Sequence, residues 1–422
     1  MRRRIILAML LVILIAIGLV AAYVIHVRHE SRDIRGSSTV EFTTTTTTTV
    51  TPLVVSGPKE PGIEWQMYGH DPERLRVATG VSLAPPFKKD WTFHAQSLVE
   101  FPPALAYGRL YFATNAGVVD AISAKTGKRA WHYVSGRCQA MSPAVIGRTI
   151  YATFLNAPPC NANGTTQSGE LVALWAGSGK VRWKKTIGPS ESSPAIVNGD
   201  VFVGDWNGNV YCFSAATGRL WWKYSSGAKI KGGIAVSGNR VYFGTYASKV
   251  YALTASKGKL VWTADAQPRL GHPGEFYATP AVAYGRVFIG ATDGKEYSFG
   301  ATDGHLIWSH STGGYVYSST AVWKERVFVG SYSGSFYSFN AATGDELWSF
   351  HADGRISGSP TIVGGRVYFA TLSGTTYALD ARTGRLDWTF PDGEYSPVIA
   401  DAKHVYLVGR ARVYGLSERR PG

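Results

Sequence analysis

The sequence predicts an all-β protein: an eight-bladed β-propeller closed by pairing of its N- and C-terminal strands and preceded by one transmembrane helix. Three observations support this prediction: a glycine–tryptophan element that recurs about every 40 residues, a composition rich in glycine and aromatic residues, and an apolar N-terminal stretch. The chain of 422 residues contains 48 glycines and is 13% aromatic, with only 17% charged residues. Such a composition is typical of a folded all-β protein with many tight turns.

The N-terminal stretch Ile5–Val27 is apolar over 23 residues, among which only His26 titrates near neutral pH. At 1.5 Å per residue, a helix of this length crosses a hydrocarbon core of roughly 30 Å. We therefore predict a cytoplasmic tip at residues 1–4 and a transmembrane anchor at residues 5–27. Cleavage as a signal peptide at Val20-Ala21-Ala22 is the alternative, although signal peptides have a shorter apolar region.

Residues 28–60 form a predicted Ser/Thr-rich stalk, which contains seven consecutive threonines at Thr43–Thr49. Such a tract cannot bury apolar surface and favours an extended chain outside the cell. The propeller, residues 61–422, is therefore expected outside the cytoplasm on a single-pass anchor.

The formal net charge of +14 limits the classes of partner. A basic surface attracts nucleic acid, anionic lipid headgroups or anionic cell-wall polymers. No block of lysine and arginine with interleaved aromatic residues occurs in the body of the chain, so nucleic acid is not expected. The remaining interpretations are an anionic envelope polymer, a protein, or a scattered solvated charge close to a membrane.

The repeat has a glycine followed four residues later by tryptophan, as in Thr217-Gly218-Arg-Leu-Trp-Trp222. Successive tryptophans from Trp131 onward lie 52, 39, 40, 46, 40 and 40 residues apart, and a period near 40 with alternating apolar strands is typical of propeller blades. Each glycine precedes an outermost strand, and each tryptophan is expected to fill the gap between neighbouring blades. The eight blade-docking tryptophans are Trp91, Trp131, Trp183, Trp222, Trp262, Trp308, Trp348 and Trp388.

A separate count of inner strands also gives eight blades. The last inner strand lacks a glycine–tryptophan element of its own, and Phe87–Trp91 is expected to supply its outer strand, which closes the ring and removes exposed sheet edges. The inner strands are predicted to start near Pro103, Pro143, Pro194, Gly233, Pro280, Thr320, Pro360 and Pro397.

The stretch Thr376-Tyr-Ala-Leu-Asp-Ala-Arg-Thr-Gly-Arg-Leu-Asp-Trp388 resembles the pyrroloquinoline quinone (PQQ) enzyme repeat, and Trp65–Arg74 resembles the strand-entry motif that precedes such propellers. The resemblance covers roughly residues 63–418. It implies one of two kinds of protein: quinoprotein dehydrogenases of the quinoprotein alcohol dehydrogenase-like superfamily, or BamB-like non-enzymatic propellers that scaffold outer-membrane protein assembly.

In this family, one face of the propeller carries the cofactor of the enzymes. On that face the residues at the inner-strand entrances could bind a polar ligand or a cation, or could simply line a wet channel mouth. At two further entrances the equivalent residues are Ile230 and Ser357, and Lys231 directly follows Ile230. The candidate ligand-binding residues of the mouth are Glu100, Glu191, Lys231, Tyr277, Tyr317 and Glu394.

The quinone enzymes typically carry two adjacent cysteines, a calcium ion held by Glu and Asn side chains, and an Asp base. None of the three cysteines of this chain is adjacent to another, and none of the calcium ligands or the base can be matched. We therefore expect no catalytic residues, no metal and no cofactor; PQQ and calcium belong only to the alternative, a dehydrogenase with diverged ligands.

The three cysteines have separate interpretations. Cys138 and Cys160 are predicted to lie in loops on the same face, where an extracytoplasmic compartment permits a disulfide; two free thiols are the alternative. Cys212 is interpreted as a small buried hydrophobic residue.

The sequence thus favours a membrane-anchored extracytoplasmic propeller that binds a protein or an envelope polymer without catalysis. The class implied by the dehydrogenase resemblance would instead require acidic and amide ligands that converge at the mouth of the channel.

Overall fold

The computed structural model describes residues 2–37, 42–43, 62–160, 167–269, 271, 274–396 and 398–419. Threonines 44–49 of the predicted stalk and the predicted strand start at Pro397 lie outside the described residues.

The N-terminal helix α1 spans Arg2–Glu30 and extends beyond the predicted anchor at both ends. Its apolar part, Met9–Glu30, has 22 residues, enough to cross a membrane. The part of the predicted stalk that follows α1 is not a free chain, because Ile34 forms an antiparallel bridge with Ser309 of the propeller.

The described residues form 33 strands. The first seventeen are β1 Ile63–Trp65, β2 Phe87–His94, β3 Ala104–Ala106, β4 Arg109–Ala113, β5 Val118–Ser123, β6 Arg129–Val134, β7 Ala144–Ile146, β8 Thr149–Phe154, β9 Gly169–Trp175, β10 Val181–Ile187, β11 Ala195–Val197, β12 Asp200–Gly204, β13 Asn209–Ser214, β14 Leu220–Ser225, β15 Ala235–Ser237, β16 Arg240–Gly244 and β17 Lys249–Thr254. The remaining ones are β18 Leu260–Asp265, β19 Ala281–Ala283, β20 Arg286–Gly290, β21 Lys295–Gly300, β22 Leu306–Ser311, β23 Ala321–Trp323, β24 Arg326–Gly330, β25 Ser335–Asn340, β26 Glu346–His351, β27 Thr361–Val363, β28 Arg366–Ala370, β29 Thr376–Asp380, β30 Leu386–Phe390, β31 Ile399–Ala400, β32 Val405–Gly409 and β33 Arg412–Glu418.

These strands form eight antiparallel sheets, as predicted. Blades one to seven are β3–β6, β7–β10, β11–β14, β15–β18, β19–β22, β23–β26 and β27–β30. The eighth contains β31, β32 and β33 together with β2 from the N-terminal side, and β1 adds to the inner edge of the first blade. Within blade three, Asn207-Gly208 makes the predicted hairpin, with Gly208 at a φ of +81° that suits glycine.

The ring is closed as predicted. Strand β2 pairs with β33 in antiparallel register from Phe87 opposite Glu418 to His94 opposite Arg412. Pairing the two ends leaves no open edge between the first and last blades, which avoids an aggregation-prone strand edge.

Two faces result from this connectivity. The mouth face carries the links from each outer strand to the next inner strand and the hairpins between second and third strands. The opposite face carries the other two turns of each blade.

The predicted strand-entry motif crosses the centre of the ring and forms a plug, here defined as residues 65–79. Its backbone carbonyls accept hydrogen bonds from inner strands of five blades, for example from Val236 N to Pro72 O at 2.9 Å and from Ile362 N to Arg76 O at 2.8 Å. The fully buried Arg74 donates to the carbonyls of Ile234 at 2.8 Å and Ser193 at 3.1 Å. The plug therefore satisfies inner-strand amides that would otherwise face an empty channel.

Candidate functional site

A small cavity lies at the centre of the mouth face, with a volume of about 50 Å³. Its floor includes Tyr68 of the plug, whose hydroxyl lies 2.6 Å from Ser359 Oγ and 3.3 Å from Ser319 Oγ. The lining residues are Tyr68, Glu100, Phe101, Glu191, Ser193, Lys231, Gly232, Gly233, Tyr277, Thr279, Tyr317, Ser319, Ser357, Ser359 and Tyr395.

The hydrogen bonds around the mouth correct one predicted equivalence. In blade three Trp206 N donates to Pro189 O at 2.8 Å, and in blade four Tyr246 N donates to Lys229 O at 3.0 Å. Glu191 lies two residues after Pro189, and Lys231 lies two residues after Lys229, so Glu191 and Lys231 occupy equivalent positions. Ile230 was placed one residue out of register: it is fully buried between blades.

Of the six predicted mouth residues, five line the cavity. The sixth, Glu394, does not; it lies at the rim with its Oε2 3.2 Å from Nε of Arg410, and its neighbour Tyr395 lines the cavity instead.

The carboxyl groups of the mouth lie near one partly buried ammonium group. Lys231 Nζ lies 3.7 Å from Glu191 Oε2. Burial raises the pKa of Glu191, while Lys231 and then Lys229 oppose the shift. Burial, together with the charge of Glu191, raises the pKa of Glu100 to about 7. The mouth thus places an ammonium beside the Glu191 carboxyl group, and near neutral pH its Glu100 carboxyl group is partly protonated.

On one side of the mouth, aromatic rings follow one another from blade to blade in a band that we call the aromatic arc: Trp206, Tyr246, Tyr277, Tyr317 and Tyr332. The ring centroids of Tyr246 and Tyr277 are 6.4 Å apart, those of Tyr277 and Tyr317 5.1 Å, and those of Tyr317 and Tyr332 4.8 Å. All five side chains are half-buried. The arc therefore presents ring surface to solvent across blades three to six.

Cations lie over the arc. Lys231 Nζ is 4.9 Å from the ring centroid of Trp206 and 5.6 Å from that of Tyr277. Lys229 Nζ is 4.8 Å from the Trp206 ring, and the guanidinium of Arg355 is 5.8 Å from the Tyr332 ring. Such cation–π contacts hold the ammonium and guanidinium groups above ring faces.

The sequence analysis did not identify Trp206, Tyr246 and Tyr332 as site residues. Each occupies the second position of the hairpin between the second and third strands of its blade. The signal in the sequence is an aromatic residue at the same hairpin position of three blades. An alignment of the repeats at that hairpin finds it, whereas a comparison of the strand entrances does not.

Cys138 and Cys160 form a disulfide on the mouth face, with Cα atoms 5.5 Å apart. The backbone around Cys138 is also paired, because Cys138 N donates to Asn156 O and Leu155 N donates to Cys138 O, both at 2.9 Å. The base of the long β8–β9 loop is thereby fixed next to the entrance of blade two. Cys212 is buried and free.

The cavity at the mouth is small, and its carboxyl groups are few, compared with a pocket for a quinone cofactor and its calcium ion. The cavity volume of about 50 Å³ is far below the roughly 300 Å³ of the smallest typical ligand pockets. Among the residues that the structure describes, no three His, Cys, Asp or Glu side chains group closely enough to hold a metal. Of the two carboxyl groups that line the cavity, that of Glu191 already lies beside Lys231.

A comparison with protein families gives a match over most of the propeller. The family model described as outer membrane protein assembly factor BamB matches residues 88–221 and 206–419.

Individual relatives match over shorter stretches. A tetrathionate hydrolase of Acidithiobacillus ferrooxidans is 29% identical over 29% of this chain and 28% of its own length. The dehydrogenase subunit of a quinone-dependent alcohol dehydrogenase of Gluconobacter oxydans is 32% identical over 30% of this chain and 19% of its own length. The matched part therefore spans less than a third of either relative.

Among solved structures, BamB from Moraxella catarrhalis superposes with a TM-score of 0.63 at 18% identity, over 80% of this chain and 99% of that one. At that identity the likeness shows the fold alone.

Proposed function

Because the chain belongs to the family described as outer membrane protein assembly factor BamB, we propose that it is a non-enzymatic scaffold that binds a protein partner on its mouth face. In this proposal α1 anchors the propeller in a membrane, with the propeller outside the cytoplasm. The mouth requires neither PQQ nor calcium.

The observation that carries the proposal is the aromatic arc with its overlying cations. Tyrosine, tryptophan and arginine are enriched in the energetically dominant parts of protein interfaces. In the arc they are half-buried and held in place by contacts between rings, so little side-chain entropy is lost on binding. Lys229 and Arg355 favour a partner segment that carries carboxylates beside apolar side chains.

Site-specific photocrosslinking in intact cells tests this proposal. A photoreactive phenylalanine analogue replaces either Tyr317 on the mouth face or Trp323 on the opposite face. Tyr317 lies at the entrance of the inner strand of blade six and Trp323 at the end of the same strand, and both side chains are half-buried. We expect a discrete protein crosslink from position 317 and none from position 323. Lys229→Glu combined with Arg355→Glu should weaken that crosslink several-fold. Equal crosslinks from both positions, or none from position 317, would contradict the proposal.

The same experiment separates a protein from an anionic envelope polymer. A crosslinked band that protease removes identifies a protein partner. A ladder that survives protease would identify a polymer and replace the proposed partner class.

A quinone-dependent dehydrogenase is the second candidate, favoured by the alcohol dehydrogenase relative and by the carboxyl groups of Glu100 and Glu191 at the mouth. A thermal unfolding scan of the full chain in detergent, with PQQ plus CaCl₂ against CaCl₂ alone, decides between the two. Ligand at 100 times its Kd stabilises a protein by about 2.7 kcal/mol. We expect no shift of the midpoint, and a rise that needs both components would restore the dehydrogenase.

A further inference from the structure

The C-terminal end of α1 is held by blade five and by the link that leads from blade four into it. Gln267 Nε2 donates to the carbonyls of Glu30 and Arg32, both at 2.9 Å, and Lys295 Nζ donates to Ser31 O at 2.5 Å. Gln267 and Lys295 are only 8% and 5% exposed. A buried ammonium suits the carbonyl-rich end of a helix. The end of the helix is therefore fixed to the propeller.

The residues that follow, Ser31–Ser37, lie along the outer strand of blade five and are here called the strap. Asp33 Oδ1 lies 3.0 Å from Lys295 Nζ and accepts from Ser311 Oγ at 2.7 Å. Ile34 and Ser309 exchange two backbone hydrogen bonds, at 3.1 and 3.0 Å.

Further along the strap, Gly36 N donates to Thr343 O at 2.9 Å. A side chain at Gly36 would not fit, because a Cβ there would lie 2.6 Å from Ala342 O.

The direction of the strap places the helix at one face. Lys295 begins β21 at the mouth face, whereas Thr343 lies in the turn between β25 and β26 at the opposite face. The strap runs from the mouth face to the opposite face. It is antiparallel to β22, as the Ile34–Ser309 bridge shows. The helix therefore leaves the propeller from the mouth side of its rim.

From Met9 up to its last turns, the described side chains of α1 are exposed. Val27 is 5% exposed, whereas Leu19 and Ile25 are 67% and 68% exposed. This exposed apolar length is the part that a bilayer would cover.

From this geometry we propose that the strap orients the propeller so that its mouth face is turned toward an anionic lipid surface. The inference rests on the proposed membrane anchor, and it holds whichever partner the mouth binds. Lys229 and Arg355 on the mouth face complement anionic headgroups, whose attraction for basic residues falls off within about 10 Å of the surface.

Lipid quenching in proteoliposomes tests the orientation. The full chain is reconstituted in phosphatidylglycerol–phosphatidylcholine vesicles that carry a headgroup nitroxide. A fluorophore is attached to Ala247→Cys, at the mouth-side hairpin of blade four, or to Lys257→Cys, at an exposed turn of the same blade on the opposite face. Cys212 is buried and Cys138–Cys160 is oxidised, so neither competes for the label. We expect at least twofold stronger quenching at position 247, and equal or reversed quenching would overturn the proposal.

A strap variant tests the cause. Asp33→Ala with Ile34→Pro removes the ion pair with Lys295 and the amide that donates to Ser309. The difference between the two labels should vanish while the protein still floats with the vesicles. A difference that persists would show that the strap does not set the orientation. Failure of the unmodified protein to float would overturn the anchor itself, and the orientation with it.

Discussion

The indole ring of Trp308 in blade five lies against the backbone of Gly344 in blade six. A Cβ on Gly344 would lie 2.7 Å from Cδ2 of the ring, and Trp308 Nε1 donates to Ala341 O at 2.9 Å. The same pair of contacts recurs between consecutive blades, for example between Trp222, Gly258 and the carbonyl of Ala255 at 2.8 Å. The glycine of each repeat therefore leaves space for the indole ring of the preceding blade, which a Cβ atom would occupy.

This relationship predicts the effect of Gly344→Ala. The substitution meets a φ of +76° and a fully buried indole. We expect about 1–2 kcal/mol of backbone cost and about 1–3 kcal/mol of overpacking. Gly227→Ala is the matched control, because its φ is also +76° but a Cβ there meets nothing within 4 Å. Chemical denaturation measures both, and equal losses for the two variants would show that the indole contact does not matter.

The disulfide predicts a redox-sensitive stability. Cys138 and Cys160 are separated by 22 residues, and closing a loop of that size stabilises a protein by about 3 kcal/mol. Dithiothreitol should lower the thermal midpoint of the wild-type protein. The Cys138→Ser/Cys160→Ser variant should start from the lowered midpoint and not respond to the reductant. A response in that variant would assign the effect elsewhere.

The buried Glu296 predicts a loss of stability with rising pH. Its Oε1 accepts from Thr320 Oγ1 at 2.6 Å, and its Oε2 has no hydrogen-bond partner among the described residues. Burial raises its pKa from 4.5 to about 8. Between these values the folded state binds more protons than the unfolded state, so the free energy of unfolding falls as pH rises.

Glu296→Gln should therefore leave the midpoint unchanged at pH 5 and raise it by a few degrees at pH 9, since one pKa unit corresponds to about 1.4 kcal/mol. Glu346→Gln on the exposed outer strand of blade six is the control. A Glu296→Gln variant with the wild-type pH profile would refute the assignment.

The ion pair at the mouth predicts a rescue. Lys231→Met leaves the carboxylate of Glu191 without its nearest cation, so the pKa of Glu191 rises further and stability above neutral pH falls by about 1–3 kcal/mol. Because burial raises the pKa of Glu191, the loss should shrink as the pH is lowered and the carboxylate takes up a proton. Lys231→Met/Glu191→Gln should recover most of the loss at pH 8, as measured by denaturation. Absence of rescue would mean that Lys231 acts through the rings of Trp206 and Tyr277 instead.

Much of the mouth could be predicted from the sequence, but its register could not. Comparing strand entrances located Glu100, Glu191, Tyr277 and Tyr317, because every blade repeats the same link. It misplaced Ile230 by one residue, because the register there is set by the hydrogen bond between Tyr246 and Lys229. Local patterns do not contain that pairing.

The sequence by itself determined the number of blades, their strand order and the closure of the ring. These depend on patterns within about 40 residues and on one complementary strand at each end. The tertiary structure decided the rest: the plug, the continuity of the aromatic arc and the docking of the strap. Ile34 and Ser309 are 275 residues apart, and only the closed ring brings blade five next to the end of the helix.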